Sequence, residues 1–269
     1  MVAAYRARAT LRKGAICSDP WAAALAGDEG EAIATAYDDV YAYMELWIAV
    51  RTAFIDELAR DLTKSGKIRQ IVMLGAGFDT RAARLAQAGV RFFEVDQPAS
   101  HREKQKGLAN LKDYPIASAT YVTCDFENED FLDRLAVSGF AIDQPALFIW
   151  EGVTPYLSEE AVRLTLRKLA QGTHPESVVV FDHLRRKIVA GDALAQKDLD
   201  SRAFVADLGE PLRFGIDYPL PLLYDEGFRS VRASTFDEAC LDITGTYERD
   251  RAFRFQGLVV ASRTQRGAD

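Results

Sequence analysis

Residues 68–98 read IRQIVMLGAGFDTRAARLAQAGVRFFEVDQP. Ile71, Val72, Met73 and Leu74 form an apolar run of the length of a buried strand. The run ends in Gly75-Ala76-Gly77. From Asp79 the spacing turns helical, with Ala82, Ala83, Leu85 and Ala86 as apolar positions and Gly89 as a stop. A second strand over 91–95 ends in Asp96-Gln97-Pro98. The order strand, glycine turn, helix, strand, acid is that of a nucleotide-type site at the carboxyl ends of parallel strands. There the glycines admit a ligand close to the backbone, and the acid can accept hydrogen bonds from ribose hydroxyls.

The loop itself narrows the ligand. It reads Gly75-x-Gly77-x-x-Thr80, so the third glycine of a dinucleotide fingerprint is missing. Asp79 stands near the helix start, where an anion would repel a pyrophosphate. S-adenosylmethionine has no phosphate and carries a sulfonium and an amino group, so an acidic glycine loop suits it better than NAD. A dinucleotide site and an ordinary ligand-free turn stay open on this stretch alone.

The whole chain sets the bounds. Its 269 residues fit a single domain, and 48% hydrophobic residues suffice for a substantial core. A net charge of −7 leaves no basic footprint for nucleic acid or an anionic membrane surface. No apolar run approaches the ~20 residues of a spanning helix, and the start MVAAYRARATLRKG lacks a signal core. Cys17, Cys124 and Cys240 lie far apart, as do His101, His174 and His183, so neither set predicts a disulfide framework or a metal site. The expectation is a cytoplasmic protein with reduced thiols.

In chain order, Arg6, Arg8, Arg12 and Lys13 read as a solvated helix face. Ser18-Asp19-Pro20 starts a helix, and Asp28–Gly30 reads as a turn. A long helix is expected over 31–63, with a break near Asp38. Tyr37, Tyr41, Met44, Trp47, Ile48, Ile55 and Leu58 recur on one stripe. Arg51 sits on that stripe, where an unpaired charge would be costly, so it snorkels to solvent or meets an anion. Further strands are expected at 121–123, 146–150, 177–182, 229–235 and 253–262. The last, alternating through Phe253, Phe255 and Gly257, suits an antiparallel strand at the end of the sheet. Gly75, Asp96, Asp125 and Glu151 all follow strands, so in a parallel sheet they share one edge. Residues 186–226 break the alternation and read as an insertion that covers the pocket. This divides one domain, 1–269, into an N-terminal helical part (1–66), a core (67–185 and 227–265) and a lid-like insertion (186–226).

With these residues placed, the chain resembles the leucine carboxyl methyltransferase family, and looks most like the bacterial branch that includes a polyketide O-methyltransferase. The matching blocks are Tyr5-Arg6-Ala7-Arg8 through Asp19-Pro20, Arg51-Thr52 within AVRTAFIDE, LGAGFDTRAARL, FFEVDQP and WEGVTPYLSEEAV, spanning roughly residues 3–168. The resemblance implies an α/β, Rossmann-like class I methyltransferase. Its seven-stranded, mostly parallel sheet carries helices on both faces, with an N-terminal helical extension. It implies S-adenosyl-L-methionine as cofactor, with Arg8 and Arg51 on the methionine carboxylate and Gly75, Ala76 and Gly77 as the loop. Asp96 and the adjoining Gln97 fall at the ribose, Asp125 and Phe126 beside the adenine, and Glu151 on the amino group.

Methyl transfer is an in-line displacement in which the protein aligns donor and nucleophile and excludes water. A carboxylate acceptor needs no base, whereas a phenol, with a pKa of about 10, does. His183 is the one candidate base and Tyr156 a candidate wall of the acceptor pocket; each also has a structural reading. The expected activity is O-methylation of a carboxylate or phenolic hydroxyl on a small molecule or exposed carboxyl group. A dinucleotide-dependent oxidoreductase and a cofactor-binding protein without catalysis are the alternatives.

Overall fold

The computed structural model describes residues 1–126, 128–191, 195–246 and 255–264. Three helices come first: α1 (Val2–Thr10), α2 (Ala22–Asp38) and α3 (Met44–Lys64). Strands and helices then alternate: β1 (Gln70–Leu74), α4 (Arg81–Arg84), β2 (Arg91–Asp96), α5 (Pro98–Leu108), β3 (Ala119–Thr123), α6 (Phe131–Val137), β4 (Ala146–Trp150), α7 (Glu159–Gly172) and β5 (Val178–Leu184). The chain continues through α8 (Arg186–Ala190), α9 (Gln196–Asp207), α10 (Pro219–Asp225), β6 (Ser230–Thr235), α11 (Phe236–Thr244) and β7 (Gln256–Ser262).

The strands form one seven-stranded sheet in the order β3-β2-β1-β4-β5-β7-β6. The first five pair in parallel, and β7 runs antiparallel to both β5 and β6. The last strand is therefore antiparallel as expected, but it lies inside the sheet. The edge falls to β6, whose residues are half-buried or exposed, whereas β7 is buried along most of its length. The Phe253 position of that expected strand lies outside the described residues.

Alternation along each strand divides the core in two. Ile71 and Met73 of β1 join Leu147, Ile149, Val178 and Val180 under the N-terminal helices, against Trp47, Ile48 and Ile55 of α3. Val72 and Leu74 face the other way with Phe148, Trp150 and Phe181, against Leu135 of α6 and Val162 and Leu166 of α7. Both faces of the central strands are covered, which is why they read as unbroken apolar runs.

The N-terminal part differs from expectation in detail. The break in the long helix is real and falls after Asp38, but Asp28–Gly30 lies inside α2, bent just before it at Gly27 (φ 57°). The helix after the glycine turn lasts a single turn, Arg81–Arg84. The basic start is not a plain solvated face: α1 buries Ala3, Ala4, Tyr5, Arg6 and Ala9. Tyr5 anchors it by donating to the Ala34 carbonyl of α2 at 2.8 Å.

Candidate functional site

The turn after β1 is held shut from two sides. The amide of Gly75 donates to the Val95 carbonyl at 2.8 Å, and Gly77 donates to Asp96 Oδ2 at 2.6 Å. Gly75 has φ 71° and a Cβ there would stand 2.6 Å from Val153 Cγ2, so glycine is required for conformation and for space. Gly77 has φ 48°, yet a Cβ would meet nothing within 4 Å, so this part of the loop faces open space.

That space is a cleft at the carboxyl ends of β1 and β4. Its walls are Gly75–Asp79, Glu151 and Gly152, with Arg6 of α1 and Arg51 of α3 across from them. The register explains the meeting at the β4 exit. Trp150 pairs with Phe181, so Glu151 and Asp182 emerge as neighbours. Arg51 donates from Nε to Glu151 at 2.8 Å and from Nη1 to Asp182 at 2.6 Å. Asp182 also accepts the Gly152 amide at 2.6 Å. Arg51 therefore meets anions from the protein itself, which resolves a charge on an apolar stripe.

The contacts continue inward as a buried lattice. Arg81 reaches Glu151, Asp79 (2.6 Å) and Asp56 (2.7 Å); Arg84 joins Asp56; Arg6 holds Asp19 at 2.9 Å. With Asp182 and Arg51, five carboxylates and four guanidiniums are joined in this lattice, and Lys104 adds an ammonium that donates to the Asp79 carbonyl. Burial alone would push Glu151 up, but Arg81 and Arg51 outweigh it and hold its carboxyl below the usual range. Asp79 behaves likewise: burial opposes ionisation, and Arg81 with Arg6 overcomes it. The acid near the helix start is thus an ion-paired structural group.

The sequence-derived positions fall into three sets. Arg51, Gly75, Ala76, Gly77 and Glu151 line the cleft. Asp96 borders it through Gly77, and Gln97 caps α5 while donating its amide to Asp96 Oδ1 at 2.7 Å. Asp125 and Phe126 follow β3 at the far side and are not among the cleft-lining residues; Asp125 accepts from Asn128 at 2.8 Å, and the exposed Phe126 packs beside Phe131. Arg8 belongs elsewhere: it is engaged by Glu31 and Asp38 of α2 at 2.6 Å each. Arg6, two residues earlier, stands in the cleft wall instead.

A second hollow adjoins the cleft and shares Arg51 and Gly152 with it. Tyr37, Tyr41, Trp47 and Tyr156 give it aromatic walls, and Asp182 and Asp198 are its carboxylates. Residues 186–226 contribute Ile188, Asp198, Ser201, Val205 and Leu212 to it. Tyr156 stands in this wall, its hydroxyl driven up by burial and so held protonated. His183 lines neither space. Its ring lies against Gly257 of β7, where a Cβ would come within 2.5 Å of Nε2. Alternation explains this: Asp182 and His183 are consecutive on β5 and point to opposite sides. Asp182 lies within β5, one residue past the end of its pairing with β4, whereas the apolar pattern alone ends that strand at Asp182 and gives no sign of a pairing with Arg51.

The sequence and the fold match known proteins. The family model for leucine carboxyl methyltransferase matches residues 1–170. The chain belongs to the leucine carboxyl methyltransferase family. Two relatives carry the name "Putative S-adenosyl-L-methionine-dependent methyltransferase". One, from Mycolicibacterium vanbaalenii, is 30% identical over 95% of this chain and 85% of its own length. The other, from Streptomyces coelicolor, is 36% identical over 63% of this chain, and the match spans 62% of that relative's length. A solved structure from Thermobifida fusca, described as a "putative methyltransferase", superposes with a TM-score of 0.63 at 15% identity, covering 91% of this chain and 93% of that one. The fold is that of class I methyltransferases. Family membership brings methyl transfer as the reaction class and S-adenosylmethionine as cofactor. Among the described residues no helix is long and apolar enough to cross a membrane, and no group of side chains is arranged to hold a metal ion.

Proposed function

We propose that this chain is an S-adenosylmethionine-dependent O-methyltransferase acting on a small molecule or an exposed carboxyl group. The observation that carries the reading is Arg51 standing beside Glu151 in the wall of a cleft formed by a glycine loop. Arg51 commits two of its five N–H groups to Glu151 and Asp182. The remaining N–H groups suit the cofactor's carboxylate. Arg6 takes the place expected of Arg8 beside that carboxylate. Glu151 serves the amino group, Gly75, Ala76 and Gly77 offer backbone, and Asp96 has lone pairs left for ribose hydroxyls after accepting two amides. Gln97, Asp125 and Phe126 border the nucleoside end. When bound, the cofactor supplies an electrophilic methyl group; the chain orients the acceptor against it and keeps water out.

Calorimetry with S-adenosylhomocysteine and with NAD tests this reading. Binding of the first in a 1:1 ratio and none of the second is expected. NAD binding, or no binding of S-adenosylhomocysteine, overturns it. Transfer of isotope-labelled methyl to an acceptor oxygen then separates an enzyme from a protein that only binds the cofactor.

A further inference from the structure

We propose that Arg81 is a positioning residue for cofactor binding: from behind the cleft it fixes Glu151 in the orientation that receives the cofactor's amino group. This role rests on the methyltransferase reading and on the place that reading gives Glu151.

Two guanidiniums hold this carboxylate, one on each oxygen. Arg51 Nε donates to Oε1 at 2.8 Å, and Arg81 Nη1 donates to Oε2. Turning the carboxylate about its last bond breaks both contacts, so its plane is fixed. A carboxylate has about four lone-pair positions, so one on each oxygen is left for an ammonium. The two anchors differ in kind. Arg51 lines the cleft, where the cofactor's carboxylate shares it. Arg81 is not among the cleft-lining residues and is 1% exposed. Asp56 and Asp79 hold it in turn: Nε donates to Asp56 at 2.7 Å, Nη1 to Asp79 at 2.6 Å, and the Arg81 amide to the other Asp79 oxygen at 2.7 Å. Asp79 belongs to the glycine-loop wall and Glu151 to the β4 wall. One side chain therefore spans the back of the cleft and sets loop and acid relative to each other. A lysine, with a single nitrogen in place of the planar fork, cannot reproduce that span.

Charge acts in the same direction. The charged groups around Glu151 are Arg81 and Asp79 from the loop side, Arg51 from α3, Arg6 with the Met1 amino group from α1, and Asp182 from β5. Burial favours the neutral acid, and Arg81 is the largest of the effects opposing it. Loss of Arg81 therefore moves Glu151 toward protonation, and a protonated Glu151 has no charge to offer an ammonium.

The test compares S-adenosylhomocysteine with its desamino analogue, which lacks only the amino group, by calorimetry on the full chain. Wild type should prefer the parent by about tenfold or more, since the amino group makes a charge-assisted contact. Arg81→Lys should bind the analogue within about threefold of wild type yet lose most of that preference. A merely structural role would weaken both ligands alike. Arg81→Gln/Asp56→Asn removes one charge of each sign from the lattice and guards against a single variant that does not fold. In it the preference should fall as pH drops from about 8 to about 6, whereas in wild type it should stay level. A crystal structure of the wild type with S-adenosylhomocysteine should keep the Arg81–Glu151 contact with the amino nitrogen on Glu151. Equal weakening of both ligands in Arg81→Lys, a preference of wild-type size and pH dependence in both variants, or a bound Glu151 turned away from Arg81 overturns the proposal. A wild-type preference kept in Glu151→Gln overturns the placement of the amino group, and the proposal with it. Failure of the wild type to bind S-adenosylhomocysteine at all instead overturns the cofactor reading.

Discussion

Arg51 Nε donates to Glu151 Oε1 across 2.8 Å, and this contact ties helix α3 to the exit of strand β4. The same guanidinium donates to Asp182 within β5, just past the end of that strand's pairing with β4. One buried side chain thus joins the N-terminal helices to two strands at the cleft.

Arg51→Met should destabilise the fold, because the variant leaves two buried carboxylates without their guanidinium. Removing one partner of a buried pair costs about 3–5 kcal/mol. Urea unfolding of Arg51→Met should show a loss of that size. A wild-type midpoint would mean that Glu151 and Asp182 do not depend on Arg51.

Arg6 and Arg8 provide a paired comparison. Arg8→Ala removes a partly exposed network with Glu31 and Asp38 and should leave cofactor affinity within twofold. Arg6→Ala removes a residue of the cleft wall and should weaken cofactor binding about tenfold or more, since a hydrogen bond to a charged group contributes about 1.5–3 kcal/mol. Calorimetry on the two variants distinguishes them, and the reverse order would return the carboxylate contact to Arg8.

Asp96→Ala should weaken cofactor binding by about 1.5–3 kcal/mol through the ribose contact. It should also loosen the glycine turn, because the Gly77 and Gln97 amides lose their acceptor. Hydrogen exchange at Gly77 should accelerate in the variant without ligand. Wild-type affinity in calorimetry would remove Asp96 from the site.

Gly75→Ala meets both a left-handed backbone and Val153 at 2.6 Å. The pair Gly75→Ala/Val153→Ala relieves the contact but not the conformation. The double variant should recover part, and not all, of the thermal stability lost by the single one. Full recovery would show that sterics alone selects glycine here.

Stability should peak at mildly acidic pH. Burial pushes Glu94 up to about 7 although Lys104 lies 2.5 Å away. A carboxyl raised above its ordinary value favours the fold below that ordinary value, and the contribution is lost as pH rises through about 7. Asp79 and Glu151 are depressed, so their contribution is complete above the ordinary carboxylate range and falls away in acid. Glu94→Gln keeps an amide oxygen for Lys104 and should flatten the decline between about pH 5 and 8, leaving the acid limb unchanged. An unaltered decline in thermal melts across that range would assign it to other groups.

What the sequence determined by itself was whatever short-range chemistry dictates. The run 71–74 has the length of a buried strand, and Gly75 suits a turn that other residues cannot adopt without strain. Acids after strands must gather at one edge if the strands are parallel. Ser158 shows the same legibility on a small scale, accepting the Ala161 amide at the start of α7. The tertiary structure decided what depends on direction and partner. Arg6 and Arg8 are equivalent in composition but about 200° apart around one helix, so the packing of α1 on α2 sends one to the cleft and the other to Glu31 and Asp38. Asp182 and His183 are adjacent, and strand pleating turns one toward Arg51 and the other toward Gly257. The place of β7 between β5 and β6 and the pairing of Arg51 with two carboxylates are set by contacts between residues far apart in the chain. Periodicity carries no record of such contacts, because it reports which face is buried and not what lies against it.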